Sequence, residues 1–191
     1  METKKGKIII LSAPSGTGKS TIISRIIDDP AMNLGFSISA TSRNPRGKEQ
    51  NGREYYFISH DEFMRRVEAG EFVEWEEVYA GTCYGTLESE VERITSSGKN
   101  LIMDIDVKGG LNVKKRYGDR ALTLFILPPS LEELGKRLRG RATDPDSVIE
   151  RRLEKAEFEM SFAPQYDARV VNDDLEEASA AVAELIRKFV E

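Results

Sequence analysis

Four stretches of this 191-residue chain are apolar without alternation. Lys7 to Leu11 reads KIIIL, Leu101 to Val107 LIMDIDV, Ala121 to Leu127 ALTLFIL and Ala168 to Asn172 ARVVN. Runs that short and that rich in β-branched residues predict strands buried on both faces, as in a parallel sheet. Between them the apolar spacing changes to that of helices. Ile22, Ile23, Ile26 and Ile27 line one face of 20–27, residues 91–97 read as the end of a helix and 111–117 as a short one. Leu175, Val182, Leu185, Ile186 and Phe189 mark an amphipathic helix over 175–190. Strands alternating with helices predict an α/β fold, a parallel sheet with helices on both faces.

Two regions break that rhythm. Residues 37–89 carry short alternating segments rich in Tyr, Phe and Thr (FSISATS, EYYFIS, FVEWEEVYAG), which predict a small mixed or antiparallel lobe inserted into the sheet. Residues 130–153 carry helical segments interrupted by Gly140 and Pro145, which predict a mobile flap. The expected division is therefore a core of 1–36, 90–129 and 154–191, a lobe over 37–89 and a lid over 130–153. Internal repeats and low-complexity tracts are absent from the sequence, so both irregular regions are expected to be insertions into one core.

Composition narrows the function classes. The balance of 28 basic and 33 acidic side chains, net −5, argues against a nucleic-acid binder held by bulk charge. A single cysteine, Cys83, excludes an intramolecular disulfide, and the apolar run near the start is too short for a signal peptide or a membrane span. The cytoplasm is the expected location, with no membrane and no obligate protein partner inferred. The one histidine, His60, stands beside Asp61 and Glu62 at an apparent helix start, which suits a surface residue near a cap better than a proton-transfer catalyst.

The chemistry concentrates in LSAPSGTGKSTI, residues 11–22. An apolar strand enters this Gly/Ser loop and a helix leaves it. Gly16 and Gly18 let successive N–H groups converge on an anion, to which the helix N-terminus adds partial positive charge. Lys19 is placed to reach the β- and γ-phosphates of a nucleotide and Ser20 to ligate Mg²⁺, the spacing of a P-loop with Ala13 in place of the first glycine. Asp104 and Asp106 alternate along the second strand, so both are expected on one side near its carboxyl end, to hold the Mg²⁺ water shell or a substrate donor, or to leave the strand at a solvent edge. Arg137, Arg139, Arg141, Arg151 and Arg152 crowd the flap. Some suit ordinary helix-surface pairs, and others a closing lid that neutralises a transferring phosphoryl group and excludes water. Arg43, Arg46 and Tyr55 suit a second phosphate clamp, although arginines near a turn are also commonly solvated.

Taken together these residues carry a specific resemblance. APSGTGKS at 13–20, TSRNPRGKEQNGREYYFI at 41–58, FVEW at 72–75, YGT at 84–86, DID at 104–106 and KRLRGR at 136–141 resemble guanylate kinases over nearly the whole length. The resemblance implies transfer of the ATP γ-phosphoryl to GMP, and to dGMP, with Mg²⁺ as cofactor. It implies that Ser39, Glu74, Thr86 and Asp106 read the guanine base while Arg43, Arg46, Tyr55 and Tyr84 hold the GMP phosphate. ATP falls to Ala13, Pro14, Ser15, Gly16, Thr17, Gly18, Lys19 and Ser20, with Asn172 beside the adenine; Asp104, by its place near the P-loop, remains the candidate to reach the metal through water. Lys19, Arg137, Arg141 and Arg152 match the charge-neutralising positions, and Arg139 has no match. A protein-binding module that keeps this fold without catalysis is the rival from another class, and its signature, an eroded P-loop and lid, is missing from the sequence.

Overall fold

The isoleucine run explains the architecture. In β1 (Ile8–Ser12) every residue is buried, Ile8 and Ile10 packing into one apolar cluster and Ile9 and Leu11 into another on the opposite face. A strand with two buried faces belongs at the centre of a sheet. Accordingly β1 lies parallel between β7 (Asn100–Asp104) and β8 (Ala121–Leu127), with β2 (Leu34–Phe36) and β9 (Ala168–Val171) at the edges in the order β2-β7-β1-β8-β9. Helices α1 (Lys19–Ile26) and α7 (Leu175–Val190) cover one face, and α3 (Glu88–Ser96) and α4 (Val107–Tyr117) the other. The computed structural model describes residues 5–79, 81–140 and 145–191. Among them no helix is long and apolar enough to cross a membrane.

Three expectations need correction. The strand expected over 101–107 ends at Asp104, because Asp106 turns away as the N-cap of α4, its carboxylate accepting the Lys108 and Gly109 N–H groups at 2.8 and 3.1 Å. For the same reason α4 starts at Val107 rather than 111, running through Gly109 and Gly110 despite their poor helix propensity. Both glycines are required by close packing: a Cβ at 109 would lie 3.0 Å from Glu74 Oε2, and one at 110 would lie 2.5 Å from Tyr166 Oη. The flap helix continues well past 153. Strand β2 was not expected at all; three residues with only one buried are too few to show a pattern.

The inserted region forms a separate four-stranded sheet, β4 (Tyr56–Phe57), β3 (Ala40–Thr41), β6 (Thr82–Leu87) and β5 (Phe72–Tyr79) in that spatial order. β3 runs parallel to β4 and antiparallel to β6, a mixed sheet as the alternation implied. Helix α2 (His60–Glu68) closes it. Ser59 caps this helix, accepting the Glu62 N–H at 3.2 Å, while Phe63 stacks on Phe72 with ring centres 4.4 Å apart and exposed His60 takes no part. Cys83 is a free thiol in this small core. The flap consists of α5 (Leu131–Gly140) and α6 (Asp146–Met160), packed through a cluster of Leu134, Leu138, Ile149 and Ala156.

Candidate active site

Chain geometry at the end of β1 builds an anion cradle. Gly16 and Gly18 have φ of 91° and 97°, the left-handed region that L side chains avoid, and a Cβ at Gly18 would also lie 2.5 Å from Asn172 Nδ2. Thr17 N–H bonds to the Pro14 carbonyl at 3.2 Å, tightening the turn, and buried Asn172 donates from Nδ2 to the Thr17 carbonyl at 2.6 Å. Helix α1 then begins at Lys19 with no side-chain cap, which leaves its leading N–H groups for a ligand. Asn33 is the one non-glycine residue with positive φ among the described residues, so Ala13 replaces the usual glycine without backbone strain. Pro14 is buried; Ser15 and Ser20 are exposed.

Across the sheet from Ser12, β7 delivers Asp104 opposite Leu11, and its carboxylate forms an ion pair with the Lys19 ammonium. The crossover behind it is pinned by a buried chain: Tyr166 Oη sits 2.8 Å from Ser12 Oγ, which donates to the Ile105 carbonyl at 2.9 Å. From Asp104 a polar cavity of about 210 Å³ opens towards the inserted lobe. Ser39, Tyr55, Glu74, Tyr84 and Asp106 all line it, and an adjoining recess shares Ser39, Tyr55 and Asp104 with it. The lobe residues and the second aspartate thus converge on one space, although they come from different elements.

The deep wall of that cavity is electrostatically unusual. Glu74 is buried, and burial together with the nearby Asp106 charge raises its carboxyl pKa to about 7. Thr86, opposite Glu74 in the β5–β6 ladder, offsets part of the rise, yet its fully buried hydroxyl makes no hydrogen bond of good geometry. A buried carboxyl and an unpaired hydroxyl side by side are costly unless a polar ligand completes them.

Nearer the mouth, the Arg43 guanidinium stands 5.0 Å over the Tyr55 ring, donates to Tyr84 Oη at 3.0 Å and grips Glu49 with two bonds of 2.7 and 2.8 Å. With a further bond to the Asn44 carbonyl, four of its five N–H groups are engaged. Glu49 also accepts the Arg46 N–H at 2.7 Å, and the Arg43 guanidinium holds its carboxyl down at about 2. The Arg46 side chain is exposed.

In the flap, Arg137 donates to the Asn172 carbonyl at 2.9 Å, which sets it beside the P-loop brace. Arg152 is half-buried and Arg151 exposed, while exposed Arg139 lies 3.8 Å from Asp146 as an ordinary surface pair. Arg141 falls outside the described residues.

The Guanylate kinase family profile matches residues 5–189. The chain belongs to the guanylate kinase family. A guanylate kinase of Porphyromonas gingivalis is 60% identical over 186 residues, covering 95% of this chain and 99% of that protein. One from Bacteroides fragilis is 53% identical over 189 residues, covering 99% and 92%. The crystal structure of guanylate kinase from Anaplasma phagocytophilum superposes with a TM-score of 0.74 at 31% identity, covering 100% of this chain and 89% of that one.

Set in this guanylate kinase fold, three carboxylates that the sequence did not single out stand at the site. Glu49 holds Arg43; Glu76 lines the cavity with Glu74; and Glu159 of α6, paired with Lys155, feels the charges of Asp106, Glu76 and Lys19. Burial raises the carboxyl pKa of both Glu76 and Glu159, and the Asp106 charge adds to each. Lys155, 3.8 Å away, and Lys19 draw Glu159 the other way. No local pattern marks Glu159 among the acids of α6. Glu49 follows Arg43 by six residues across a Pro-Arg-Gly turn, a spacing that identifies the pair only once the turn is known.

Proposed function

We propose that the chain transfers the γ-phosphoryl of ATP to GMP, and to dGMP, giving ADP and GDP or dGDP in purine nucleotide metabolism in the cytoplasm. The observation that carries this reading is buried Glu74, which lines one cavity with Ser39, Asp106 and the Lys19-paired Asp104 and has the unpartnered Thr86 hydroxyl opposite it in the β5–β6 ladder. Guanine offers N1–H and a 2-amino group as adjacent donors beside the O6 acceptor, a pattern that carboxylates of Glu74 and Asp106 and hydroxyls of Ser39 and Thr86 complete. Adenine sets a lone pair at N1 against the carboxylate. In the same proposal Arg43, Arg46, Tyr55 and Tyr84 hold the acceptor phosphate, the loop from Ala13 to Ser20 cradles ATP, and Asn172 serves ATP through the loop it braces.

The donor set also fits Mg²⁺. Among the described residues no group of three His, Cys, Asp or Glu side chains forms a metal cage, and Asp104, paired with Lys19, and the Ser20 hydroxyl at the start of α1 are the oxygen donors proposed for the ion. Such a sparse set suits a cation that keeps most of its waters and is shared with nucleotide phosphates. Held there, it would neutralise phosphate charge. With nucleotide bound, Lys19 leaves Asp104 for the phosphates, and Arg137, Arg141 and Arg152 are the groups proposed to surround the transferring phosphoryl as the lid closes. No side chain forms a covalent intermediate; the rate comes from alignment, charge neutralisation and exclusion of water.

The core, lobe and lid division expected from the sequence is part of this proposal, each part having its own apolar cluster. A coupled assay of ADP release across GMP, dGMP, AMP, CMP and UMP tests the reading. GMP and dGMP are expected to be used, with AMP about 10⁴-fold poorer in kcat/KM because it leaves buried polar groups unpaired. Equal use of AMP and GMP overturns the assignment of the base pocket, and well-folded protein without GMP-dependent turnover leaves the binding-module reading.

A further inference from the structure

The inserted lobe joins the core through two crossings. Residues 37–39 lead from β2 into β3, and Leu87 at the end of β6 is already the N-cap of α3. A side chain just past the second crossing bonds back to the first. Glu90, in the first turn of α3, is 2% exposed, and its carboxylate accepts the Ile38 N–H at 3.0 Å, the Tyr56 hydroxyl at 3.1 Å and two bonds from Arg93 at 2.8 and 2.9 Å. Burial opposes ionisation here, but Arg93, the Ile38 N–H and the Tyr56 hydroxyl together hold the carboxyl below the usual range. This carboxylate therefore ties a core helix to the entry crossing and to lobe strand β4.

What it fixes are the neighbours of the acceptor-site residues. Ile38 precedes Ser39, and Tyr56 follows Tyr55; the Tyr56 N–H in turn bonds to the Ser39 carbonyl at 2.9 Å. Ser39 and Tyr55 both line the cavity, whereas Glu90 lies behind it in a separate groove. Moving Ile38 or Tyr56 by a fraction of an ångström shifts both cavity residues together. The P-loop has no direct bond to Glu90 among these contacts.

We infer that Glu90 is a positioning residue for the acceptor nucleotide: it locks Ser39 and Tyr55 in register from behind through Ile38 and Tyr56, and so sets affinity for GMP independently of ATP. The inference rests on the proposed GMP site. Glu90→Ala removes a buried charged acceptor and is expected to raise the KM for GMP about 10-fold or more, with kcat and the KM for ATP within about twofold. Tyr56→Phe deletes only the lobe-side bond and is expected to raise it about fivefold. Glu90→Gln retains an oxygen for the Ile38 N–H and is expected to fall between the unmutated protein and Glu90→Ala.

Because Glu90→Ala also unpairs Arg93, the two conservative variants decide the matter if it does not fold. GMP KM values within twofold of the unmutated protein in folded Tyr56→Phe and Glu90→Gln overturn the inference, as does a parallel rise in the KM for ATP, which signals general destabilisation. Calorimetric titration with GMP alone separates this from the reaction itself. A chain that binds GMP without turnover fails the proposed reaction, and the Glu90 assignment is then read from dissociation constants. A chain that does not bind GMP overturns both.

Discussion

Glu74 shows how a single side chain is placed against its own preference for water. Its carboxyl, with a pKa of about 7 in the folded chain and 4.5 as the ordinary value, stays protonated longer in the folded state than in the unfolded one. The folded state binds the extra proton, so the resulting stability is complete below about pH 4.5 and is lost as pH rises through 7, by about 3 kcal/mol at full ionisation. Glu74→Gln keeps the shape and removes the titration. It is expected to melt higher than the unmutated protein at pH 8 and no higher at pH 4.5, which thermal unfolding at the two pH values checks. Function runs the opposite way. Accepting two guanine donors needs the ionised form, so the KM for GMP is expected to be about tenfold higher at pH 6 than at pH 8, with the KM for ATP flat. In Glu74→Gln the GMP profile flattens at a high KM. An unmutated protein whose GMP affinity ignores pH over this range contradicts the role of the buried carboxylate.

At the scale of elements, four of the five core-sheet strands were legible, and edge strand β2 and the junctions were not. KIIIL and ALTLFIL announce central strands because burial on both faces needs an unbroken apolar run, and β1 and β8 lie where those runs predict. DIDV misled because the same four residues hold a strand end, a turn and a helix cap: Asp104 closes β7 and Asp106 opens α4, so their shared cavity is a product of the turn and not of strand alternation. Gly109 and Gly110 hid the first turn of α4, since their packing against Glu74 and Tyr166 is a long-range fact. Glu159, Glu49 and Glu90 escaped for the same reason: each acts on a partner brought near by the fold. Asn172, expected beside the adenine, has its side-chain amide on the Thr17 carbonyl within the P-loop, a contact between distant residues that the sequence does not show. Asn172→Ala strands that buried carbonyl, at a loss of about 1–3 kcal/mol. The expected outcome is a melting point lower by about 2–10 °C for a chain of this size, with a raised KM for ATP and an unchanged KM for GMP. An intact melting point shows the brace to be dispensable.

Across the whole molecule, the lobe and the paired flap helices each have an apolar cluster of their own, while Val73 of β5 packs into a core cluster and Leu134 and Leu138 of α5 lie against Gly16 of the P-loop. Arg137 marks where α5 meets the residue that braces the P-loop. Its guanidinium rests on the Asn172 and Asp173 carbonyls at 2.9 and 3.4 Å, with Glu133 3.6 Å away, and its side chain remains about a quarter exposed. These are carbonyl bonds that a phosphoryl oxygen outcompetes, because a charge-assisted bond is roughly twice as strong as one to a neutral acceptor. The guanidinium therefore gains most when negative charge gathers on the transferring group, later than either nucleotide binds. Arg137→Ala is expected to lower kcat about 10²-fold, the scale of removing one preorganised donor, while the KM for GMP stays within about twofold. Steady-state kinetics with each substrate varied at saturating co-substrate separates the alternatives. If the KM values rise and kcat holds, Arg137 binds the ground state only, and the neutralising work of closure passes to Arg152 and the stretch around Arg141.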